Sequence, residues 1–234
     1  MNIKGRNILI TGGSLGIGKA AAKLLVDSGA NVAITGRDKN RLDKAAKETG
    51  TFPIVADVAD EKDIEHTYQT FLNEFKTLDC LINNAGIGGR RPLIEDLQLE
   101  DLELVFRVNV FGAALMASKA AAIFKKQNYG HIINIGSTSA LKGDAHSTVY
   151  SASKFALRSM TQAWQAELRK HNVRVIQINP SEVATAFGNN ERIERTPIDN
   201  KLSSQEIAYA IKAVLEMDDR GFIPELSVWA TNPW

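Results

Sequence analysis

The sequence predicts an α/β protein, a doubly wound, seven-stranded parallel sheet with helices on both faces. Three observations predict it. Short β-rich runs alternate with longer helical patterns along the chain, and strand–helix–strand alternation marks parallel sheets. The runs Asn-Ile-Leu-Ile-Thr and Cys-Leu-Ile-Asn-Asn do not alternate apolar with polar, as expected of central strands buried on both faces. A glycine-rich turn joins the first such strand to the first helix.

The elements follow in order. Strands are expected at Asn7–Thr11, Asn31–Thr35, Phe52–Ala56, Cys80–Asn83, His131–Ile135, Arg174–Ile178 and Phe222–Val228. Helices are expected at Gly16–Ser28, Lys39–Glu48, Glu61–Phe75, Leu99–Gln127, Val149–Lys170 and Ser203–Met217. The last helix opens with a capping-box spacing from Ser203 to Glu206, in which each residue satisfies a free N–H of the other. No repeat, low-complexity stretch or linker divides the chain, so residues 1–234 read as a single domain. The least regular stretch, Ala186–Leu202, is polar and carries Pro197; it is a candidate short substrate lid.

Composition narrows the function. The chain has 234 residues, 44% hydrophobic and 24% charged, enough for a sizeable core. Its net charge of +1 argues against nucleic acid or an anionic membrane as the main partner. A single cysteine, Cys80, excludes an intrachain disulfide. His66, His131, His146 and His171 show no metal-ligand spacing. No signal-peptide pattern is visible, and the apolar runs read as too short for a membrane span, so a cytoplasmic protein is expected.

Two constellations carry chemistry. In Thr11-Gly12-Gly13-Ser14-Leu15-Gly16-Ile17-Gly18 the glycines permit a tight turn. The helix that follows offers free N–H groups to a pyrophosphate. In Tyr150-Ser151-Ala152-Ser153-Lys154, a four-residue spacing puts Tyr150 and Lys154 on one helical face. A cation beside a phenol favours the phenolate, and such a tyrosine can exchange a proton with a substrate oxygen. Ser137, just past the strand His131–Ile135, supplies a hydroxyl for the same oxygen.

With these motifs in order, the chain resembles the short-chain dehydrogenase/reductases, in their compact single-domain branch. The resemblance runs from Lys4 to about Val228. It rests on Thr11-Gly12-x-x-x-Gly16-x-Gly18, Asp57-Val58, Asn83-Asn84-Ala85-Gly86, Asn109, Ser137, Tyr150-x-x-x-Lys154 and Asn179-Pro180. It implies a Rossmann-type sheet and reversible hydride transfer between NADP(H) and an alcohol or carbonyl. It further implies that Tyr150 is the general acid or base and that Lys154 lowers its pKa and binds the nicotinamide ribose. Ser137 would polarise the substrate oxygen, and Asn109 would hold a water in a relay to Lys154. Cofactor contacts implied are Gly12, Ser14, Leu15, Gly16, Ile17 and Gly18 in the loop, then Asp57 and Val58 at adenine. Asn84, Ala85 and Gly86 would lie along the adenosine side, with Pro180, Val183 and Thr185 at the nicotinamide. Asn83 reads as structural.

Departures matter too. Ser181 stands where the family usually has glycine, so the loop under the nicotinamide is expected to run differently. The second strand ends in Gly36-Arg37-Asp38. Gly36 offers no carboxylate to the ribose, and Arg37 can take a 2′-phosphate, so NADP(H) is expected over NAD(H), which stays possible. Arg90 and Arg91 read as solvated arginines or contacts to an acidic substrate, and His146 edges the expected pocket. The resemblance implies a homodimer or homotetramer, assembled through the helices bearing Asn109 and Tyr150. Two rivals remain: a sugar epimerase or dehydratase of the larger branch, and a nucleotide-binding regulator that kept the fold and lost catalysis.

Overall fold

The computed structural model describes residues 1–188, 192–196 and 198–233. Pro197, noted in the sequence, lies outside the described residues.

Seven strands form one parallel sheet, β1 (Asn7–Ile10), β2 (Asn31–Gly36), β3 (Phe52–Val55), β4 (Cys80–Asn83), β5 (Gly130–Ile135), β6 (Val173–Pro180) and β7 (Glu225–Val228). Their spatial order is β3-β2-β1-β4-β5-β6-β7. The order reverses between β1 and β4, and the crevice outside the carboxyl ends of such strands is where ligands bind in this architecture. The helices are α1 (Gly16–Asp27), α2 (Lys39–Thr49), α3 (Glu61–Phe75), α4 (Leu99–Phe106), α5 (Ala113–Gln127), α6 (Thr148–Leu168) and α7 (Ser204–Glu216). One apolar cluster joins α1, α2 and α7 to the sheet through residues such as Ile8, Ile10, Leu25 and Ile207. A second, on the other face, joins α3 and α5 through Leu9, Phe71, Leu81, Met116 and Phe124.

Three expectations are corrected. The last strand begins at Glu225 rather than Phe222; Pro224 just before it has no N–H to give a ladder. The expected helix Leu99–Gln127 is broken by a π-helical stretch, Arg107–Gly112. The same 29 residues are long and apolar enough to cross a membrane by length and composition, contrary to the reading of the apolar runs. In the fold they serve as a core helix, with Val108, Met116, Ala117, Ala120 and Phe124 buried against the sheet.

A chain of buried amides ties β4, β5, α6 and β6 together. Asn83 donates to Asn134 at 3.0 Å, and Asn134 donates to Thr161 at 2.7 Å. Gln177 lies 2.9 Å from the Thr161 hydroxyl and donates to Asn179 at 3.0 Å. Asn83 ties neighbouring elements together through its Nδ2, which also donates to Ala113 O at 3.1 Å.

Candidate active site

At the carboxyl end of β1 the chain turns through Gly12, whose φ of +67° is a left-handed conformation. A β-carbon on Gly18 would stand 2.4 Å from the Gly12 carbonyl oxygen, so only glycine lets α1 begin this close to the loop. Leu15 precedes the helix in extended conformation without a side-chain cap, and the first turn of α1 has no acidic residue. The helix thus presents free N–H groups and its positive dipole end. The Gly16 N–H donates to Glu194 Oε1 at 2.6 Å, so this point of the loop already accepts an anionic oxygen of the kind a phosphate presents. Ile17 is partly buried in the core beneath.

The neighbouring β4 loop braces this turn. Thr11 Oγ1 accepts from the N–H groups of Asn84 at 3.1 Å and Ala85 at 3.0 Å. Asn84 Nδ2 donates to the carbonyls of Thr11 and Gly12, each at 3.0 Å. The Asn84 side chain, expected along the adenosine, is therefore engaged in holding the glycine loop. Gly86 lies beside the inner pair, where a β-carbon would be 3.3 Å from Asn109 Oδ1 and 3.7 Å from Lys154 Nζ.

Asp57 and Arg37 meet at the end of β2, with Nη1 3.6 Å from Oδ2. Asp57 Oδ1 also accepts from Ala59 N–H at 2.9 Å. Asp38 caps α2, accepting from Arg41 N–H at 2.9 Å and from its guanidinium at 3.1 Å. A carboxylate so engaged is poorly placed to read a ribose. Arg192 is close enough to Arg37 and Arg41 that their charges add to burial in lowering its pKa. A β-carbon on Gly36 would stand 3.4 Å from Ser14 Oγ. Sequence reasoning found Arg37 and Ser14 but missed Arg41, which reads as an ordinary helix residue, and Arg192, which reads as part of a polar loop. The Val58 carbonyl is covered by Gly112 of the π stretch, whose β-carbon would come within 2.5 Å of it.

The structure brings Asn109, Ser137, Tyr150 and Lys154 to the carboxyl ends of β4 and β5. Lys154 is buried, and its Nζ donates to Ile135 O at 2.8 Å, at the last residue of β5. Burial lowers its pKa to about 8. The same ammonium stands 5.8 Å from the centre of the Tyr150 ring. Burial raises the pKa of Tyr150; a hydrogen bond from Ser137 and the charge of Arg91 oppose it. The lowering force expected from Lys154 is supplied in this arrangement by Ser137 and Arg91. Ser137 Oγ also accepts from Ser139 N–H at 3.1 Å.

The π stretch re-aims Asn109. Its Oδ1 accepts from Ile87 N–H at 2.9 Å, and its Nδ2 donates to Ile87 O at 2.9 Å and to Ser153 Oγ at 3.1 Å. Both amide protons are thus engaged within the protein, and the side chain braces the β4 loop against α6. Ser153 was missed in the sequence; it links Asn109 to the Tyr150 carbonyl, to which it donates at 2.7 Å.

The profile of the short chain dehydrogenase family matches residues 6–196. The chain belongs to the short-chain dehydrogenase family. An uncharacterised oxidoreductase of Staphylococcus aureus (strain USA300) is 32% identical over 224 residues, covering 94% of this chain and 95% of that protein. A 3-ketoacyl-(acyl-carrier-protein) reductase from Brucella melitensis, solved with NADH, is 28% identical with a TM-score of 0.89, over 99% of this chain and 100% of the other. An alcohol dehydrogenase from the archaeon Thermococcus sibiricus, solved with 5-hydroxy-NADP, is 26% identical with a TM-score of 0.88, over 97% of each. An oxidoreductase of this family using a nicotinamide cofactor is the function these likenesses support.

Other short-chain dehydrogenase features follow from the β6 end. Ser181, placed where glycine is usual, is not among the residues at positive φ. Its N–H donates to Val228 O at 2.8 Å and its Oγ accepts from Ala230 N–H at 3.3 Å, so it extends the contact with β7. Beyond it, Val183 bridges Leu202, and Ala184 N–H donates to Leu202 O at 2.8 Å, pinning together the two ends of the segment between them. Thr185 is buried and packs on Gly16. Phe187, which the sequence did not single out, lies over Tyr150 with ring centres 5.6 Å apart.

Proposed function

We propose that the protein transfers a hydride reversibly between NADP(H) and an alcohol or carbonyl, with NADP(H) preferred and NAD(H) possible. The observation that carries this reading is the hydroxyl pair: Ser137 and Tyr150 act on one another beside a buried Lys154, at the crevice entered by the glycine loop. The bound nicotinamide supplies the hydride; it needs no metal, only positioning and one proton donor. Gly12, Ser14, Leu15, Gly16, Ile17 and Gly18 hold the pyrophosphate, and Arg37 the 2′-phosphate. Asp57, Val58, Asn84, Ala85 and Gly86 line the adenosine side, and Pro180, Val183 and Thr185 the nicotinamide side.

In reduction, Tyr150 gives its proton to the carbonyl oxygen while Ser137 donates a hydrogen bond to the same oxygen. In oxidation, Tyr150 takes the proton from the alcohol. Ser137 and the charge of Arg91 lower the cost of the phenolate, and Lys154, with its ammonium anchored on Ile135, meets the ribose. Asn109 is a positioning residue that holds the β4 loop against α6. The chain acts as a single domain over 1–234, with 186–202 as a short lid: Phe187 already covers Tyr150 from this segment. The exposed Leu104, Phe111 and Leu115 on the helices after β4, with Phe155 on α6, support a homodimer or homotetramer. The assembly is cytoplasmic, with no nucleic-acid or membrane partner.

The test is a panel of alcohols and carbonyls assayed at the reduced-nicotinamide absorbance with each cofactor. Turnover, faster with NADPH than NADH, is expected. Cofactor binding without turnover across the panel would replace this reading with the regulator.

A further inference from the structure

We propose that Arg91 reads an anionic group on the substrate, so that the preferred substrates are hydroxy and oxo acids rather than neutral alcohols and ketones. The proposal rests on the reading of Tyr150 and Ser137 as the reacting pair and names the substrate class of that site.

Two adjacent arginines follow Gly89, and the fold treats them differently. Arg90 is held in place: its Nε lies 3.0 Å from Asp101 Oδ1, and its Nη2 donates to Asp101 Oδ2 at 3.2 Å and to Asp96 O at 3.3 Å. Asp101 is itself buried and accepts from Gln98 N–H at 3.2 Å in the capping box of α4. Arg90 therefore belongs to the start of that helix. Arg91 is exposed, and no carboxylate or carbonyl of the described residues pairs with it.

The loop that carries Arg91 lies against the reacting pair: a β-carbon on Gly88 would stand 3.4 Å from the Phe187 ring, whose centre is 5.6 Å from that of Tyr150. Arg91 lines a cavity of about 910 Å³ together with His146. His146 has φ of +61°, unusual for a residue with a side chain. The turn that holds it there is closed by Ser147 Oγ, which accepts from Asp144 N–H at 3.0 Å, and it leads directly into α6 and Tyr150. The charge of Arg91 reaches the reacting hydroxyl, where it favours the phenolate. Glu95 and Asp96 line the same cavity, yet neither is among the groups that act on Tyr150. Of the charges lining the cavity, that of Arg91 is the one that acts on Tyr150, so an anionic group beside the tyrosine meets its guanidinium. A single guanidinium suits a carboxylate, which it can grip through two parallel hydrogen bonds. A neutral ketone leaves that cation facing water.

The experiment compares acetoacetate with methyl acetoacetate and pyruvate with methyl pyruvate, in wild type, Arg91→Gln and Arg91→Lys. Wild type should favour each acid over its ester by at least about tenfold in kcat/KM, mainly through KM. Arg91→Gln should bring that ratio near unity, and Arg91→Lys should restore part of it. In parallel, acetoacetate is titrated calorimetrically into protein saturated with NADP⁺, where no hydride can move. Its binding should weaken by about tenfold or more in Arg91→Gln. A wild type that treats acid and ester alike, or a ratio unchanged in Arg91→Gln, overturns the proposal while leaving the dehydrogenase reading intact. Binding that depends on Arg91 in a protein that turns over none of the pairs supports the anion site and removes the dehydrogenase reading instead.

Discussion

At the amino ends of the strands, cations are matched. Arg6 lies 2.9 Å from Asp79, and Arg174 lies 3.1 Å from Asp219 while donating to the carbonyls of Met217 and Gly221 at 3.2 and 3.0 Å. His131, packed against Arg174, is held neutral: burial, and then the Arg174 charge, lower its pKa to about 3. At the carboxyl ends the pattern is the reverse. Lys154 is buried with a carbonyl for company, Arg91 has no ionic partner among the described residues, and Arg37 reaches Asp57 only at 3.6 Å. The matched edge contributes to folding. The unmatched edge gives up stability to hold charges ready for a ligand, a common trade at functional sites.

Variants at the two edges should therefore separate activity from stability. The largest effect is expected for Tyr150→Phe, which should lower kcat/KM by roughly 10²–10⁴ while the melting temperature holds. A parallel loss of stability would erase the contrast between the edges.

Lys154→Met comes next. The fall from 10.5 to about 8 corresponds to roughly 3 kcal/mol of folding free energy withheld at neutral pH. Between those values the unfolded chain binds more protons than the folded one, so wild-type stability rises with pH there. The variant should melt higher than wild type at pH 7, with the gap narrowing from pH 8 towards pH 10.5. Thermal melts across that range check it; a gap that widens with pH breaks the assignment. Activity should be lost throughout.

Arg174→Leu tests the matched edge, and roughly 1.5–3 kcal/mol of stability should go with its charged hydrogen bonds, with kcat/KM of the folded enzyme unchanged. His131 adds a pH signature. Its folded pKa lies below the usual 6.5, so wild type should lose stability as pH falls from about 6.5 towards 3. Removing the Arg174 charge should flatten that slope, measurable by denaturant titration at several pH values.

The smallest effect is expected at the adenosine end. Arg37→Ala should cut the NADPH over NADH preference by about tenfold, read from paired kcat/KM values, with Tm unchanged. An unchanged ratio moves the phosphate contact to Arg41 or Arg192, which the structure gathers at the same place.

The parallel sheet, the capping box at Ser203 and the glycine loop were legible because each is written by residues close together in the chain. Strand and helix periods, a cap three residues long and a Tyr–Lys spacing on one helix are local properties. The same locality put Tyr150 and Lys154 on one face before any packing was known. Tertiary structure decided what those groups touch. Whether Arg90 or Arg91 stays free depends on Asp101, and the orientation of Asn109 depends on a π stretch that its own neighbours do not announce. Phe187 meets Tyr150 only because β6 returns beside β5. Pairings between distant segments are selected by which buried polar groups find partners and which apolar surfaces meet, and no local period in the chain records that choice.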